Sequence, residues 1–205
     1  MTAPFGSYVH AGTDQPTILK RPADGILKVL YSGDSLTHGL FASSDAAGFR
    51  PRMTGEFEKT GTVDWLKTGA SGGITSSVAF NTLGYGHHLA IIELGTNDVG
   101  PTSLTQFRTD YSALMDEITT RSPGVQFICA GTWRPTSSDF DAIIEEECLE
   151  RGGRYRPLQD LFNDSTNRGP AGLPMYGGTS DTFHPNDKGY AAIADRLLEV
   201  IAIRN

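Results

Sequence analysis

The sequence predicts an α/β domain in which helices cover both faces of a parallel sheet. Short apolar runs that suit strands alternate along the chain with segments whose apolar residues recur at helical spacing. One run, Leu89–Leu94, is almost continuously apolar, as expected for a strand that is buried on both faces. The chain has 205 residues, a length that suits one sizeable domain with its own core.

Five strands are predicted from the apolar runs. The third is the clearest, the second is short, and the fifth is weaker than the others. The predicted strands are Leu27–Ser32, Val63–Lys67, Leu89–Leu94, Val125–Ala130 and Tyr155–Leu161.

Four helices are predicted between and after these strands. The clearest begins at a capping box of Ser103 and Gln106, and its apolar residues alternate in steps of three and four up to Ile118. The segment Phe162–Ser180, rich in Gly, Pro and Asn, predicts a long loop of the kind that is usually functional or disordered. The other helices are predicted at Phe49–Thr60, Ser138–Arg151 and Pro185–Ile203.

The amino-terminal residues differ in composition from the rest of the chain. Residues 1–25 contain few apolar side chains and predict an irregular arm, whereas residues 26–205 are interpreted as a single domain. Met1–Asp24 lacks a basic region followed by an apolar core, so no signal peptide is predicted. A cytoplasmic location is the default expectation, and export of a processed form stays open as the alternative.

Composition argues against several kinds of partner. The net charge of −7 disfavours nucleic acid and anionic membrane surfaces, both of which attract basic faces. No apolar run approaches the roughly 20 residues that cross a bilayer. Cys129 lies in a predicted strand and Cys148 in the helix after it, without the spacing of a redox or zinc site. We therefore expect two buried free thiols.

Polar segments containing glycine follow the first three predicted strands. They are Gly33-Asp34-Ser35, Ser71-Gly72-Gly73 and Gly95-Thr96-Asn97-Asp98. Because the carboxyl ends of parallel strands share one edge, where ligands bind in open α/β sheets, these segments are expected to meet. A serine at such a bend is a candidate nucleophile, although each segment is also ordinary turn chemistry.

A fourth segment, Asp181-Thr182-Phe183-His184-Pro185, precedes the last predicted helix. An aspartate three residues before a histidine can accept its Nδ1–H, which leaves Nε2 free to take a serine proton. An isolated pair of this kind is more often a surface pair. Together, however, the four segments supply a hydroxyl, an imidazole with its carboxylate, a loop amide and a side-chain amide, which are the parts that acyl transfer needs.

The four segments, in this order, resemble the blocks of the SGNH, or GDSL-type, hydrolases. The resemblance spans residues 27 to about 200 and implies a flavodoxin-like three-layer α/β/α sandwich with a parallel sheet of about five strands. The matching blocks are Gly33-Asp34-Ser35-Leu36 for the nucleophile, Ser71-Gly72 for the glycine, Gly95-Thr96-Asn97-Asp98 for the asparagine and Asp181-Thr182-Phe183-His184-Pro185 for the terminal block.

The resemblance also implies a role for each matched residue. Ser35 would be the nucleophile, His184 the general base, and Asp181 the residue that orients His184. No metal and no organic cofactor are implied. The oxyanion hole would comprise the Ser35 amide, the amide of Gly72 or of the adjacent Gly73, and the Asn97 side chain.

The predicted activity is hydrolysis of carboxylic esters through an acyl-enzyme. Because no long apolar stretch suggests a lipase lid, we expect short acyl groups, acetyl or similar, on a soluble alcohol or a carbohydrate. The alternatives are thioesterase, lysophospholipase-like or acyltransferase activity of the same residues, and a catalytically silent binding module. The residues expected to bind substrate are Asp34, His38, Trp133, Arg134 and Tyr176.

Overall fold

A five-stranded parallel sheet forms the centre of the computed structural model, which describes residues 16–204. The strands are β1 (Thr17–Lys20), β2 (Leu27–Gly33), β3 (Val63–Thr68), β4 (Leu89–Glu93), β5 (Gln126–Ala130), β6 (Arg154–Arg156), β7 (Pro174–Met175), β8 (Gly178–Thr179) and β9 (Ile201–Arg204). The order across the central sheet is β3-β2-β4-β5-β6, with every pair parallel. This is the flavodoxin-like order, so the predicted fold class is confirmed.

Helices cover both faces of the sheet and complete three layers. They are α1 (Phe49–Glu58), α2 (Leu104–Arg121), α3 (Ser138–Glu150), α4 (Gln159–Asn163) and α5 (Asp187–Leu198). Because side chains alternate along a strand, Val29 and Tyr31 of β2 pack with α1 and α5, whereas Leu30 packs with α2 and α3. Within residues 16–204, none of the helices is long and apolar enough to cross a membrane.

Two helices begin where side-chain caps place them. The Ser103 side chain accepts a hydrogen bond from the Gln106 amide at the start of α2, which is one half of the predicted capping box. The Gln106 side chain donates to Asp110 instead of forming the other half. At α5 the cap is Asn186, which accepts from the Gly189 amide, so this helix begins at Asp187 rather than at the predicted Pro185.

The last predicted helix, Pro185–Ile203, is longer than the helix in the structure. α5 ends at Leu198, and β9 pairs in parallel with β1, with Thr17 opposite Ile201. The prediction of helix up to Ile203 is therefore wrong, and so is the irregular arm at 17–20; the β-branched residues of β9 suit a strand. Residues 21–25 form no helix or strand, and residues 1–15 of the predicted arm lie outside the described residues.

The fifth predicted strand is shorter than expected. β6 ends at Arg156, and Pro157, which has no amide hydrogen, cannot continue the ladder. Residues 159–163 then form α4 rather than the end of a strand. The predicted loop that follows contains a 3₁₀ turn at 165–167 and the antiparallel hairpin of β7 and β8.

The end of β2 lies closer to its neighbours than a side chain would allow. A Cβ on Gly33 would lie 1.9 Å from Thr37 Oγ1 and 2.7 Å from the Glu93 carbonyl oxygen. A Cβ on Gly69, which follows β3 with a φ of 99°, would lie 2.0 Å from the Gly33 carbonyl oxygen. The ends of three adjacent strands therefore converge at Gly33.

A disulfide joins Cys129 of β5 to Cys148 of α3, so the expectation of two free thiols is wrong. Both residues are fully buried in the core between the sheet and its α2–α3 layer. Their side chains meet because Cys129 faces this layer from the sheet and Cys148 faces the sheet from the helix. The bond thus fastens β5, which lies next to the edge strand β6, to its covering helix.

Reducing this disulfide is expected to lower the free energy of unfolding by about 3 kcal/mol, because the unfolded chain regains the freedom of a ring closed by residues 19 apart. Denaturant unfolding with and without reductant measures the difference. A Cys129→Ala, Cys148→Ala double variant is the control and should not respond to reductant. Two thiols titrating in the unfolded, unreduced protein would contradict the assignment.

Gly33→Ala is expected to lower the free energy of unfolding by about 1–3 kcal/mol or more, because the new methyl group overlaps Thr37 and the β4 backbone. Gly55→Ala is the matched control, since Gly55 lies in α1 and a Cβ there meets nothing within 4 Å. The free energy of unfolding of this control variant should rise by about 0.5–1 kcal/mol, because Ala favours a helix over Gly. Equal stability of Gly33→Ala and wild type would show that the strand ends are not tightly packed.

Candidate active site

The sheet places β2 and β4 side by side where the chain changes direction. From β2 the chain runs out to β3, and it then crosses back to β4 on the other side of β2. Open α/β sheets bind ligands at such a switch point, beyond the carboxyl ends of the strands. Ser35 follows β2 by two residues and Asn97 follows β4 by four, so both reach this edge.

The structure brings Ser35, His184 and Asp181 together in one chain of hydrogen bonds. Ser35 Oγ lies 3.0 Å from His184 Nε2, and His184 Nδ1 lies 2.8 Å from Asp181 Oδ2. Because a carboxylate only accepts, Nδ1 carries the imidazole hydrogen and donates it to Asp181. Nε2 then has a free lone pair and accepts from the Ser35 hydroxyl.

Asp181 is held as a carboxylate by the loop on which it lies. Partial burial alone would raise the pKa of Asp181, but the amides of Phe183 and His184 and the His184 imidazole donate to the carboxylate and lower its pKa overall. The group is therefore ionised at neutral pH. It fixes both the tautomer and the orientation of His184.

Aromatic rings hold the His184 imidazole from two sides. Phe41 packs edge-on at 4.9 Å between ring centroids, and Phe183 packs edge-on at 5.4 Å. Phe41 has a φ of 66°, a left-handed conformation that is unfavourable for a bulky residue. Its segment is held in place by the β7–β8 hairpin, since the Phe41 amide donates to the Tyr176 carbonyl and the Tyr176 amide donates to the Ala42 carbonyl.

A cavity of about 510 Å³ opens over the hydroxyl of Ser35. Its walls combine the reactive groups with two apolar side chains, Leu40 and Phe183, and one cation, Arg134. The remaining lining residues are Ser35, Ser71, Gly72, Asn97 and His184.

The two neighbouring glycines of the predicted oxyanion loop differ in what their amides do. The Gly73 amide donates to the Ala70 carbonyl and closes the turn of this loop. No hydrogen bond from the Gly72 amide occurs within residues 16–204, and Gly72 lines the cavity. The Gly72 amide is thus the one available to a ligand.

Asn97 also lines the cavity, but its amide already has partners. Asn97 Nδ2 donates to Asp34 Oδ2 at 2.8 Å and to the Gly73 carbonyl at 3.1 Å. An oxyanion bound at Ser35 would therefore compete with the Gly73 carbonyl for one of these hydrogens. Asp34 itself is fully buried and does not line the cavity, contrary to the expectation that it contacts substrate.

Three other residues expected to bind substrate lie outside the cavity lining. Trp133 is fully buried, its indole donates to the Phe183 carbonyl at 2.8 Å, and its ring packs edge-on against Phe162, so it belongs to the core beneath the cavity. Tyr176 is 42% exposed on the β7–β8 hairpin, where its backbone amide and carbonyl form hydrogen bonds with the segment at Phe41. Of the five expected residues, Arg134 alone lines the cavity.

His38, the third of these residues, links two loops behind the cavity. His38 Nε2 donates to the Gly69 carbonyl at 3.3 Å, and Nδ1 accepts from Lys67 Nζ at 3.1 Å. Burial and the adjacent Lys67 ammonium lower the pKa of His38, so the ring is neutral. The predicted contact with substrate is replaced by a structural link between the nucleophile turn and the glycine loop.

Several residues of the site were not predicted from the sequence. Leu40, Phe41 and Phe183 contact the cavity or the imidazole, yet apolar residues in loops give no functional signal. Glu93 does give one, because it is the only acidic residue in an otherwise apolar strand. The structure places its buried side chain directly beneath the turn of Ser35.

The model of the GDSL-like Lipase/Acylhydrolase family matches residues 32–192. This range contains the whole chain of hydrogen bonds from Ser35 to Asp181. No curated protein matches the chain.

Solved structures share the fold at low sequence identity. Esterase EstA from Pseudoalteromonas sp., inhibited by monoethylphosphonate, is 17% identical with a TM-score of 0.65, and the match covers 84% of this chain and 95% of EstA. A two-domain esterase active on acetylated mannans is 16% identical with a TM-score of 0.61, over 84% of this chain and 47% of that one. An active-site mutant of a family two carbohydrate esterase from Clostridium thermocellum is 17% identical with a TM-score of 0.58, over 83% and 62%.

The chain spans less than two thirds of the length of the last two esterases, and at these identities the likeness shows the fold alone. Family membership rests instead on the family model, whose match covers well over half of the chain. The chain belongs to the GDSL-like lipase/acylhydrolase family.

Proposed function

We propose that the chain is a serine esterase that hydrolyses carboxylic esters with short acyl groups through an acyl-enzyme on Ser35. The observation that carries this proposal is the chain of hydrogen bonds from the Ser35 hydroxyl through His184 to Asp181, beside an open cavity. A hydroxyl hydrogen-bonded to an imidazole whose tautomer is fixed by a carboxylate is an activated nucleophile.

In the first half of the reaction, His184 Nε2 takes the proton of Ser35 as its Oγ attacks the acyl carbonyl carbon. Negative charge then develops on the carbonyl oxygen. The Ser35 and Gly72 amides and Asn97 Nδ2 stabilise this oxyanion and lower the barrier; losing one such donor raises the barrier by about 2.7–4 kcal/mol. The tetrahedral intermediate collapses when the alcohol leaves with the proton from His184, and the acyl group remains on Ser35.

In the second half, water attacks the acyl-enzyme. His184 takes a proton from the water as the water oxygen bonds to the acyl carbon. The same donors stabilise the second oxyanion. His184 then returns the proton to Ser35 Oγ, and the carboxylic acid leaves. Asp181 stays ionised throughout and stabilises the imidazolium that forms in both halves.

The walls of the cavity favour a small acyl group. Only Leu40 and Phe183 among its lining residues offer a large apolar side chain, which is little surface for a long acyl chain. This composition supports acetyl or similar acyl groups over lysophospholipids and long-chain thioesters. Acyl transfer to a second alcohol uses the same residues and stays an alternative.

Arg134 supports a carbohydrate as the alcohol. Its Nε donates to the Thr96 carbonyl at 2.7 Å, and its guanidinium lies over the Phe183 ring at 5.6 Å, so the side chain is fixed at the cavity. No hydrogen bond from Nη1 or Nη2 occurs within residues 16–204. A guanidinium fixed in this way can donate to two neighbouring oxygens, as adjacent sugar hydroxyls present them.

The disulfide bears on the compartment in which the protein is found. We propose export of a processed form rather than the cytoplasmic default, because disulfides persist in oxidising compartments and are rare in the cytosol. The Cys129–Cys148 bond supports this proposal. Free thiols in protein isolated from its source organism would argue against it.

Replacing Ser35 with Ala is expected to lower kcat/KM on p-nitrophenyl acetate by about 10⁴-fold or more, because the attacking oxygen is lost. His184→Ala should fall to a similar level, and Asp181→Asn should fall strongly because the imidazole loses its tautomer. Ser44→Ala, an exposed serine near the same turn, is the matched control. Equal slow hydrolysis by wild type and Ser35→Ala, with no labelling of Ser35 by a phosphonate, would support the silent binding module.

Replacing Arg134 with Gln is expected to lower kcat/KM on acetylated oligosaccharides about 10-fold more than on p-nitrophenyl acetate, because one charge-assisted hydrogen bond to the sugar is lost. Arg134→Lys should restore only part of this preference, since a lysine cannot donate in a fork. Arg52→Gln, on the exposed side of α1, is the control. An equal effect of Arg134→Gln on both substrates would place the sugar elsewhere.

A further inference from the structure

Two carboxyl groups are enclosed beneath the turn that carries Ser35. Asp34 follows β2 and Glu93 ends β4, and the register of these strands sets Gly33 opposite Glu93. Both side chains are almost completely buried. Neither takes part in an ion pair within residues 16–204, so no cation of the described structure compensates them directly.

Hydrogen bonds connect this carboxyl pair to the nucleophile turn. Glu93 Oε2 accepts from the Thr37 hydroxyl at 2.9 Å, from the Thr37 amide at 3.1 Å and from the Asp34 amide at 3.4 Å. Asp34 Oδ1 accepts from the Leu36 amide at 3.0 Å. The turn is therefore fastened to the end of β4 at both of its ends.

One member of the pair, Asp34, contacts two residues that line the cavity. Asp34 Oδ2 accepts from Asn97 Nδ2 at 2.8 Å, and Asp34 Oδ1 lies 3.4 Å from Ser35 Oγ. Glu93 itself lies outside the cavity lining. It can influence a reaction there only through Asp34 and the turn.

Two adjacent buried carboxyl groups cannot both be ionised without a large cost. Burial raises the pKa of Asp34 to about 6, and burial together with the charge of Asp34 raises the pKa of Glu93 well above its ordinary value. A protonated Glu93 can donate to the Asp34 carboxylate, and such a bond favours the ionised form of Asp34. Glu93 is thus the member that keeps its proton.

Other titratable groups around the pair give an ionised Glu93 no support. Tyr111 of α2 and Tyr190 of α5 are buried phenols whose ionisation a charge on Glu93 opposes, and Asp181 acts on Tyr190 in the same sense. The His184 imidazole acts on the other member of the pair and favours the charge of Asp34. These surroundings assign the negative charge of the pair to Asp34.

We propose that Glu93 is a positioning residue that acts as a neutral carboxylic acid, accepting from Thr37 and donating to Asp34 so that Ser35 and the Asn97 amide stay in reactive alignment. This inference rests on the proposed esterase function. The neutral acid supplies one acceptor to the turn and one donor to Asp34. Ionisation removes the donor and sets two negative charges against each other beneath the nucleophile.

The comparison of Glu93→Gln with Glu93→Ala tests this proposal. Glutamine offers the same acceptor and donor but does not ionise, so its kcat on p-nitrophenyl acetate is expected within about threefold of wild type at pH 6–7, and it should retain activity at alkaline pH where wild type loses it. Alanine offers neither group, and its kcat should fall about 10²-fold with little change in KM. Glu150→Gln, an exposed glutamate at the end of α3, is the matched control.

The pH dependence of unfolding gives a readout that does not need activity. A raised pKa means that the folded state binds a proton that the unfolded state releases, so the free energy of unfolding falls as pH rises from the ordinary glutamate value towards the folded value. The free energy of unfolding of wild type should show this fall. Glu93→Gln should show a smaller fall, because only the raised pKa of Asp34 then contributes. This difference survives even if the chain proves to have no esterase activity.

Either of two results would overturn the proposal. A Glu93→Ala variant with wild-type kcat would show that Glu93 positions nothing. A folded Glu93→Gln variant as impaired as Glu93→Ala would show that the ionised form is needed. If Glu93→Ala does not fold, the dependence of kcat on pH in wild type and in Glu93→Gln still tests the proposal. Loss of activity at the same alkaline pH in both proteins would show that Glu93 does not act as a neutral acid.

Discussion

The absence of a side chain at Gly33 is the constraint on which the rest of the site depends. Because no Cβ separates them, the β2 backbone, Thr37 and the end of β4 come within van der Waals contact, and the loop after β3 approaches through Gly69. Thr37 can then reach the buried Glu93 carboxyl, and the turn between them becomes short and rigid. Ser35 is presented at the sheet edge by this turn, within 3.0 Å of an imidazole from the other end of the sequence.

The centre of the sheet was predictable because a strand buried on both faces, such as β4, is apolar along nearly its whole length. The same logic failed at the end of the chain, where residues 200–203 are apolar in succession and suit a helix or a strand. Pairing with Thr17–Lys20 decides between them, and that partner lies nearly the whole chain away. The disulfide was not predicted for a similar reason. Cys129 and Cys148 meet only when α3 packs on the correct face of the sheet.

At the site, the sequence identified the residues that are polar and lie in glycine-containing segments. Ser35, Asp181 and His184 come together as expected, and their proposed roles await the kinetic tests. Trp133 was misassigned because its position after β5 fixes the edge it approaches but not the side to which its ring turns. The function of Glu93 depends on burial beside Asp34, and burial of one polar residue within an apolar strand is a property of the folded neighbours rather than of the strand itself.

The separation of 149 residues between Ser35 and His184 has a consequence for biosynthesis. The five strands of the central sheet are complete at Arg156, so a chain still emerging from the ribosome can assemble them before Asp181 has been made. The face that α1 covers stays incompletely covered until Tyr190, Ile193 and Leu197 of α5 dock on it. During this interval the nascent protein exposes apolar surface to its neighbours, and Ser35 lacks the imidazole that we propose as its base. The ability to cleave an ester then arrives together with the last helix, so turnover marks the completion of folding.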